Sequence, residues 1–223
     1  MDKKYNFLKP IKTNNLIRLG RKADGGYVVD KEIVLNTDYL ITFGLGPDWS
    51  FELDYRKYNP NINIFMYDYT VSSLPYFKEI WKYLRRFLTF RAKLKDVIDR
   101  ITYLKNYLKF LNLKEVNFYS EKITYPMKEK IDTDIDKVFS RLPIDTKVVL
   151  KSDIEGSEFE VIDEILKHQS KIKMIIFEFH WMNTNEQIFL ESVKKLKNNF
   201  NIIHIHGNNH CEKLQSGLPI ALE

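Results

Sequence analysis

Four side chains able to move a proton or bind a cation stand directly after apolar runs. Asp153 and Glu155 follow Val148-Val149-Leu150, two residues apart, so both leave a strand on one side of it. Gly156 then allows a turn, and Ser157 is suited to cap a helix. Glu178 and His180 follow Met174-Ile175-Ile176-Phe177 and again share one strand face. Asp153 and His180 are the candidate general bases for a hydroxyl. Glu155 and Glu178 can orient them. Asp153, Glu155 and Glu178 together make an oxygen-rich set that suits a divalent cation able to lower a hydroxyl's pKa. The plainer alternatives are helix capping for the first pair and a satisfied polar pair at a sheet rim for the second.

A second constellation lies upstream. Gly44-Leu45-Gly46 follows the apolar run Tyr39 to Phe43 and precedes a helical pattern. Gly44 permits a tight turn and Gly46 lets backbone approach a ligand, with Asp48 in the same turn. Asp68 ends the next β-rich run, where a carboxylate can accept both hydroxyls of a ribose. This pattern points to a nucleoside cofactor held by Gly44, Gly46, Asp48 and Asp68. A dinucleotide needs a third glycine where Trp49 stands, so S-adenosylmethionine, which has no pyrophosphate, fits better.

His204, His206, His210 and Cys211 form a third group. His204 and His206 share a strand face, and imidazole with thiolate is a zinc donor set, but the spacing matches no closed four-ligand pattern. His206 and Asn208 are expected instead as pocket contacts to the substrate.

The elements that must position these residues alternate. Short strands are expected at 16–30 (two, around Asp24-Gly25-Gly26), 39–43, 61–67, 116–119, 147–152, 171–179 and 201–206. Helices are expected from Pro47 to Tyr58, at 132–139, 157–168 and 185–198, with two more within 72–112, where apolar residues recur at three- and four-residue steps. Strand–helix alternation with fully apolar strands implies an α/β fold, a largely parallel sheet with helices on both faces. Ligands in such sheets bind beyond the carboxyl ends of the strands, where all these residues fall.

LKSDIEGSEFEVI (Leu150 to Ile162) resembles the D-x-E-G-x-E signature of the FkbM-like methyltransferases, a branch of the class I S-adenosylmethionine-dependent enzymes. RLGRKADGGYVV, TFGLGPDWSFE and IIHIHGNN are similar to further segments of that family in the same order. The resemblance implies a Rossmann-like class I methyltransferase sheet over a single domain, 1–223. It implies an O-methyltransferase acting on a sugar hydroxyl, commonly in surface-polysaccharide or glycan biosynthesis. Gly44, Gly46 and Asp68 would then hold the cofactor, and Asp153, Glu155 and Glu158 fall on the signature acids. Thr42 stands where many class I enzymes carry an acid, and 72–114 is a helical insert after the second core strand. The class I sheet ends in an antiparallel hairpin, so with the chain stopping at LPIALE the last strand is expected to be cut short.

The charge is uneven. Lys78 to Lys114 carries eleven basic and three acidic residues, whereas the whole chain has a net charge of only +5. A basic face of this kind draws an anion, such as a sugar carried on a phosphate. Aromatics among the cations raise a nucleic-acid-directed methyltransferase as an alternative, but their helical spacing favours packing, so no nucleic-acid partner is expected. A non-catalytic Rossmann-like nucleotide- or glycan-binding domain is the other alternative. With 44% hydrophobic residues and one cysteine, disorder and a disulfide scaffold are excluded. No transmembrane run or secretory signal is visible, so a cytoplasmic location is expected.

Overall fold

The computed structural model describes residues 3–22, 26–71, 74–180, 182–208 and 219–222. After a 3-10 turn at Lys3–Leu8 come β1 (Leu16–Gly20), β2 (Gly26–Asp30), α1 (Lys31–Leu35), β3 (Tyr39–Phe43), α2 (Ser50–Tyr58) and β4 (Asn63–Tyr67). The middle of the chain holds α3 (Leu74–Leu88), α4 (Leu94–Leu111), β5 (Val116–Tyr119), β6 (Lys122–Ile123), β7 (Asp132–Thr133) and α5 (Ile135–Ser140). It closes with β8 (Val148–Ser152), α6 (Glu158–Lys167), β9 (Ile172–Phe177) and α7 (Met182–Leu196).

Five strands form one parallel sheet in the order β5-β4-β3-β8-β9. The chain winds outward from β3 to β5, then crosses back to β8. The strand order therefore reverses between β3 and β8, which opens a crevice above Phe43 and Ser152. This is a Rossmann-like α/β sheet.

Period-two alternation splits the strands between two cores. Ile41, Phe43, Phe65, Val148 and Leu150 face α5, α6 and α7 through Val138, Ile162 and Phe189. Leu40, Ile64, Met66, Val149 and Met174 face the other way, against Phe51 and Tyr55 of α2, Leu104 and Tyr107 of α4, and the β1–β2 hairpin. Burial on both faces is why these strands are continuously apolar.

Three elements differ from the sequence expectation. The helix expected from Asp132 begins at Ile135, because Asp134 caps it by accepting the Lys137 amide at 2.8 Å. Asp132 and Thr133 pair instead with β6. Residues 201–206, expected as a strand, pair with no strand among the described residues; Leu222 bridges both Phe179 and Gly207 in antiparallel fashion. The short helix α1 was not anticipated, although Asp30 caps it through the amides of Glu32 and Ile33. Among the described residues no helix is long and apolar enough to cross a membrane.

Candidate active site

The crevice floor is backbone against backbone. Gly44 has φ +73, and a Cβ there would stand 1.7 Å from the Asp153 carbonyl oxygen. Only glycine lets the β3 and β8 ends approach so closely. Gly46 has φ +60, and a Cβ there would meet nothing within 4 Å, so the turn leaves an open cradle beside its backbone. Its amide donates to Asp68 Oδ2 at 2.9 Å. Asp68 Oδ1 takes three donors, the Thr70 amide (2.7 Å), the Thr70 hydroxyl (2.6 Å) and the Val71 amide (3.2 Å). Oδ2 keeps a second lone pair for a further donor. Asp48 accepts the Ser50 amide and hydroxyl and pairs with Arg21, so its carboxylate closes the turn ahead of α2. Trp49 is buried against Tyr103 and Tyr107.

Beside this floor, acids gather around one imidazole. His180 Nε2 lies 3.7 Å from Asp153 Oδ1, 3.8 Å from Glu155 Oε2 and 3.8 Å from Glu178 Oε1. Its Nδ1 lies 2.9 Å from Glu158 Oε1. Glu158, fully buried, also accepts the amides of Ile154 (2.9 Å) and Gly156 (2.8 Å), which fixes the turn after β8. Glu155 takes φ 55 in that turn, a left-handed backbone rare for a residue with a Cβ, followed by Gly156 at φ 105. Tyr27 Oη stands 3.2 Å from Asp153 Oδ2 and 3.0 Å from Glu178 Oε2, and Asn208 donates to Glu178 Oε1 at 3.1 Å.

The electrostatics separate the roles. Burial pulls the His180 pKa down. The Glu158 hydrogen bond and the charges of Glu158, Asp153 and Glu155 outweigh it and push it up to about 9. This surrounding charge favours the imidazolium form of His180 at neutral pH. Burial, then the Asp153 charge, raises Glu178 against the lowering effect of Asn208, His180 and Tyr27. The Asp153 carboxylate and the Glu155 carboxylate both flank this imidazole.

Sequence reasoning missed Tyr27, Lys151 and Glu52. Lys151 is buried in β8, with Nζ 5.0 Å from the Tyr27 ring centre and 4.0 Å from Asp153 Oδ2. A lysine inside the run VVLKS was its signal, since lysine is almost never buried without a partner. The Thr42 hydroxyl, near the end of β3, donates to Glu52 Oε1 at 2.8 Å. Glu52, on α2, thus brings a carboxylate to the end of β3. Burial raises its pKa, opposed by the Lys151 charge.

His206 lies two residues before Asn208, which bonds Glu178. Its ring lies 5.5 Å from that of His204, and burial, then the Arg18 charge, lowers its pKa. His210 and Cys211 lie outside the described residues, and so does any zinc site that needs them. Among the described residues the one group placed to hold a metal ion is Asp153, Glu155 and His180, whose ligand atoms lie within 4.8 Å of one another.

No family model matches the chain, and no curated protein matches it. The FkbM-like resemblance therefore stands on the four sequence segments alone. Among solved structures the chain is similar to precorrin-6y C5,15-methyltransferase from Geobacter metallireducens GS-15, with 12% identity and a TM-score of 0.41 over 86% of this chain and 85% of that one. A likeness this distant carries no argument about activity.

Proposed function

We propose that this chain is an S-adenosylmethionine-dependent O-methyltransferase whose acceptor is a sugar hydroxyl. The observation that carries the reading is the 3.7 Å approach of Asp153 to His180 at the crevice where strand order reverses. The open cradle at Gly46 and the spare lone pair of Asp68 Oδ2 suit a nucleoside. Gly44, Gly46 and Asp68 would hold it. S-adenosylmethionine, when bound, supplies an electrophilic methyl group.

The chain's own residues do the rest. Asp153 accepts the proton of the acceptor hydroxyl. The cationic His180 stabilises the Asp153 charge and is kept in place by Glu158. Tyr27 orients both Asp153 and Glu178. Glu155 stands at the mouth, and a rim of carboxylates with Asn208 suits a polyhydroxyl acceptor, since each hydroxyl can donate to it. The same rim repels an anion at the methyl-accepting position. A phosphate carrier must lie elsewhere, for example toward the basic α3–α4 segment.

A cation-assisted variant is favoured by one specific arrangement. Asp153, Glu155 and a neutral His180 would face one divalent ion in place of the Nε2 proton, while Glu158 accepts the Nδ1–H hydrogen bond and fixes the imidazole, as carboxylates do behind metal-bound histidines.

Calorimetry with S-adenosylmethionine, followed by labelled-methyl transfer to free and nucleotide-linked sugars, tests the reading. We expect binding, and transfer lost in Asp153→Asn. Absence of cofactor binding by the full chain overturns the reading. Activity unchanged by a chelator and by added magnesium or manganese overturns the cation-assisted variant alone.

A further inference from the structure

The α3–α4 hairpin ends in an apolar tip. Phe90, in the connection between the helices, is 99% exposed; Leu88, which ends α3, is 68% exposed, and Leu94, which begins α4, is 53% exposed. Arg85, Arg86, Arg91, Lys93 and Lys95 surround them, all exposed, with no acid from Leu84 to Lys95. The nearest acid, Asp96, turns its carboxylate to the Lys93 amide at 2.8 Å.

The hairpin is anchored at its other end. Tyr103 donates to the Pro47 carbonyl at 2.6 Å, and Trp49 packs on Tyr103 and Tyr107. From Tyr103 to Leu94 the helix runs about 14 Å, so the tip projects beyond its anchorage. Ile98 and Ile101 continue the exposed stripe from Leu94 at i+4 and i+7, and Trp81 precedes Leu88 on one face of α3.

Phe90 is the informative residue. Its φ of 56 places it in the left-handed region. The bonds from the Arg91 amide to the Arg86 carbonyl (2.7 Å) and from the Phe90 amide to the Phe87 carbonyl (3.0 Å) make it the left-handed residue of the turn that terminates α3. Glycine or asparagine is usual there. A bulky side chain strains the backbone, and a ring left in water returns nothing to the fold.

We propose that this tip docks the chain on the surface of an anionic phospholipid bilayer. Phe90, Leu88 and Leu94 enter the interface between headgroups and acyl chains, and the surrounding arginines and lysines pair with anionic headgroups. Charge decides against a second copy as occupant, because self-pairing would face one set of five cations with another. Aliphatic Leu88, Leu94 and Ile98 gain nothing from base stacking, which disfavours a nucleic acid. The inference is independent of the proposed methyl transfer.

Flotation of the full chain with vesicles of phosphatidylcholine, with and without phosphatidylglycerol, tests it. Binding is expected only with the anionic lipid, and should weaken as salt rises. Phe90→Ser with Leu88→Ser should abolish it. Arg85→Glu with Arg86→Glu should weaken it about a hundredfold. In Phe90→Trp the added emission should shift to the blue and be quenched by brominated acyl chains. Far-UV circular dichroism of each variant separates a lost tip from a lost fold. The proposal fails if the wild type does not float, floats equally with neutral vesicles, or floats undiminished after Phe90→Ser with Leu88→Ser. It also fails if the tip substitutions instead abolish a dimer or binding to a random RNA.

Discussion

Glu158 Oε1 lies 2.9 Å from His180 Nδ1, and this contact aims the opposite nitrogen of the ring at Asp153, Glu155 and Glu178. One fully buried carboxylate thereby does two tasks. It closes the turn after β8 through two amides, and it holds the imidazolium among three acids. Glu158→Gln keeps the size but removes the charge. We expect weakened stability by about 1–3 kcal/mol, the scale of a lost charge-assisted bond, and a lower His180 pKa. NMR titration of the imidazole in wild type and variant checks this; an unmoved titration refutes the assigned role.

The raised His180 pKa makes stability depend on pH. The group moves from an ordinary value of 6.5 to about 9 in the folded state. Its contribution is therefore fully present below about pH 6.5 and is lost as pH rises through about 9. Denaturant midpoints measured across that window should fall by an amount worth about 1–3 kcal/mol. His180→Gln should flatten this fall, and an equal slope in the variant would locate the effect elsewhere.

Gly44 and Gly46 should respond differently to alanine. Gly44→Ala drives a Cβ into the Asp153 backbone and should cost about 3 kcal/mol or more, read as a large drop in denaturant midpoint. Gly46→Ala meets open space, so its stability loss should be only about 1 kcal/mol of left-handed strain. Its cofactor affinity should nevertheless fall, because the methyl occupies the cradle. Full affinity in Gly46→Ala by calorimetry would move the cofactor away from this turn.

Asp68→Ala removes an acceptor from Gly46, Thr70 and Val71 together. We expect S-adenosylmethionine binding weaker by about 1–3 kcal/mol, with a loss of stability alongside. Asp68→Asn, which keeps one acceptor oxygen, should recover most of the stability and less of the affinity. Equal affinities in all three proteins, read calorimetrically, would leave Asp68 a purely structural turn residue.

Much of this molecule was legible in the residue order because the informative signals are local. The apolar runs Leu40-Ile41, Val148-Val149-Leu150 and Met174-Ile175-Ile176-Phe177 mark strands buried on both faces, and acids and glycines directly after them mark the carboxyl ends, where such sheets bind ligands. The three- and four-residue spacing from Leu84 to Leu108 marks the helical pair. The sequence could not say how His180 is charged. The imidazolium form of His180 is favoured because Glu158, from the turn after β8, and Asp153, at the neighbouring strand end, surround it, and such fields depend on distances across the fold. The same holds for the Glu52 carboxylate meeting the Thr42 hydroxyl and for Lys151 under Tyr27. Residues 201–206 carry a strand-like pattern yet pair with no strand among the described residues, and a strand exists only where a neighbour supplies its hydrogen bonds. Local chemistry thus determined the elements and the rim they build, and only packing between distant segments decided the protonation and partners of the groups on it.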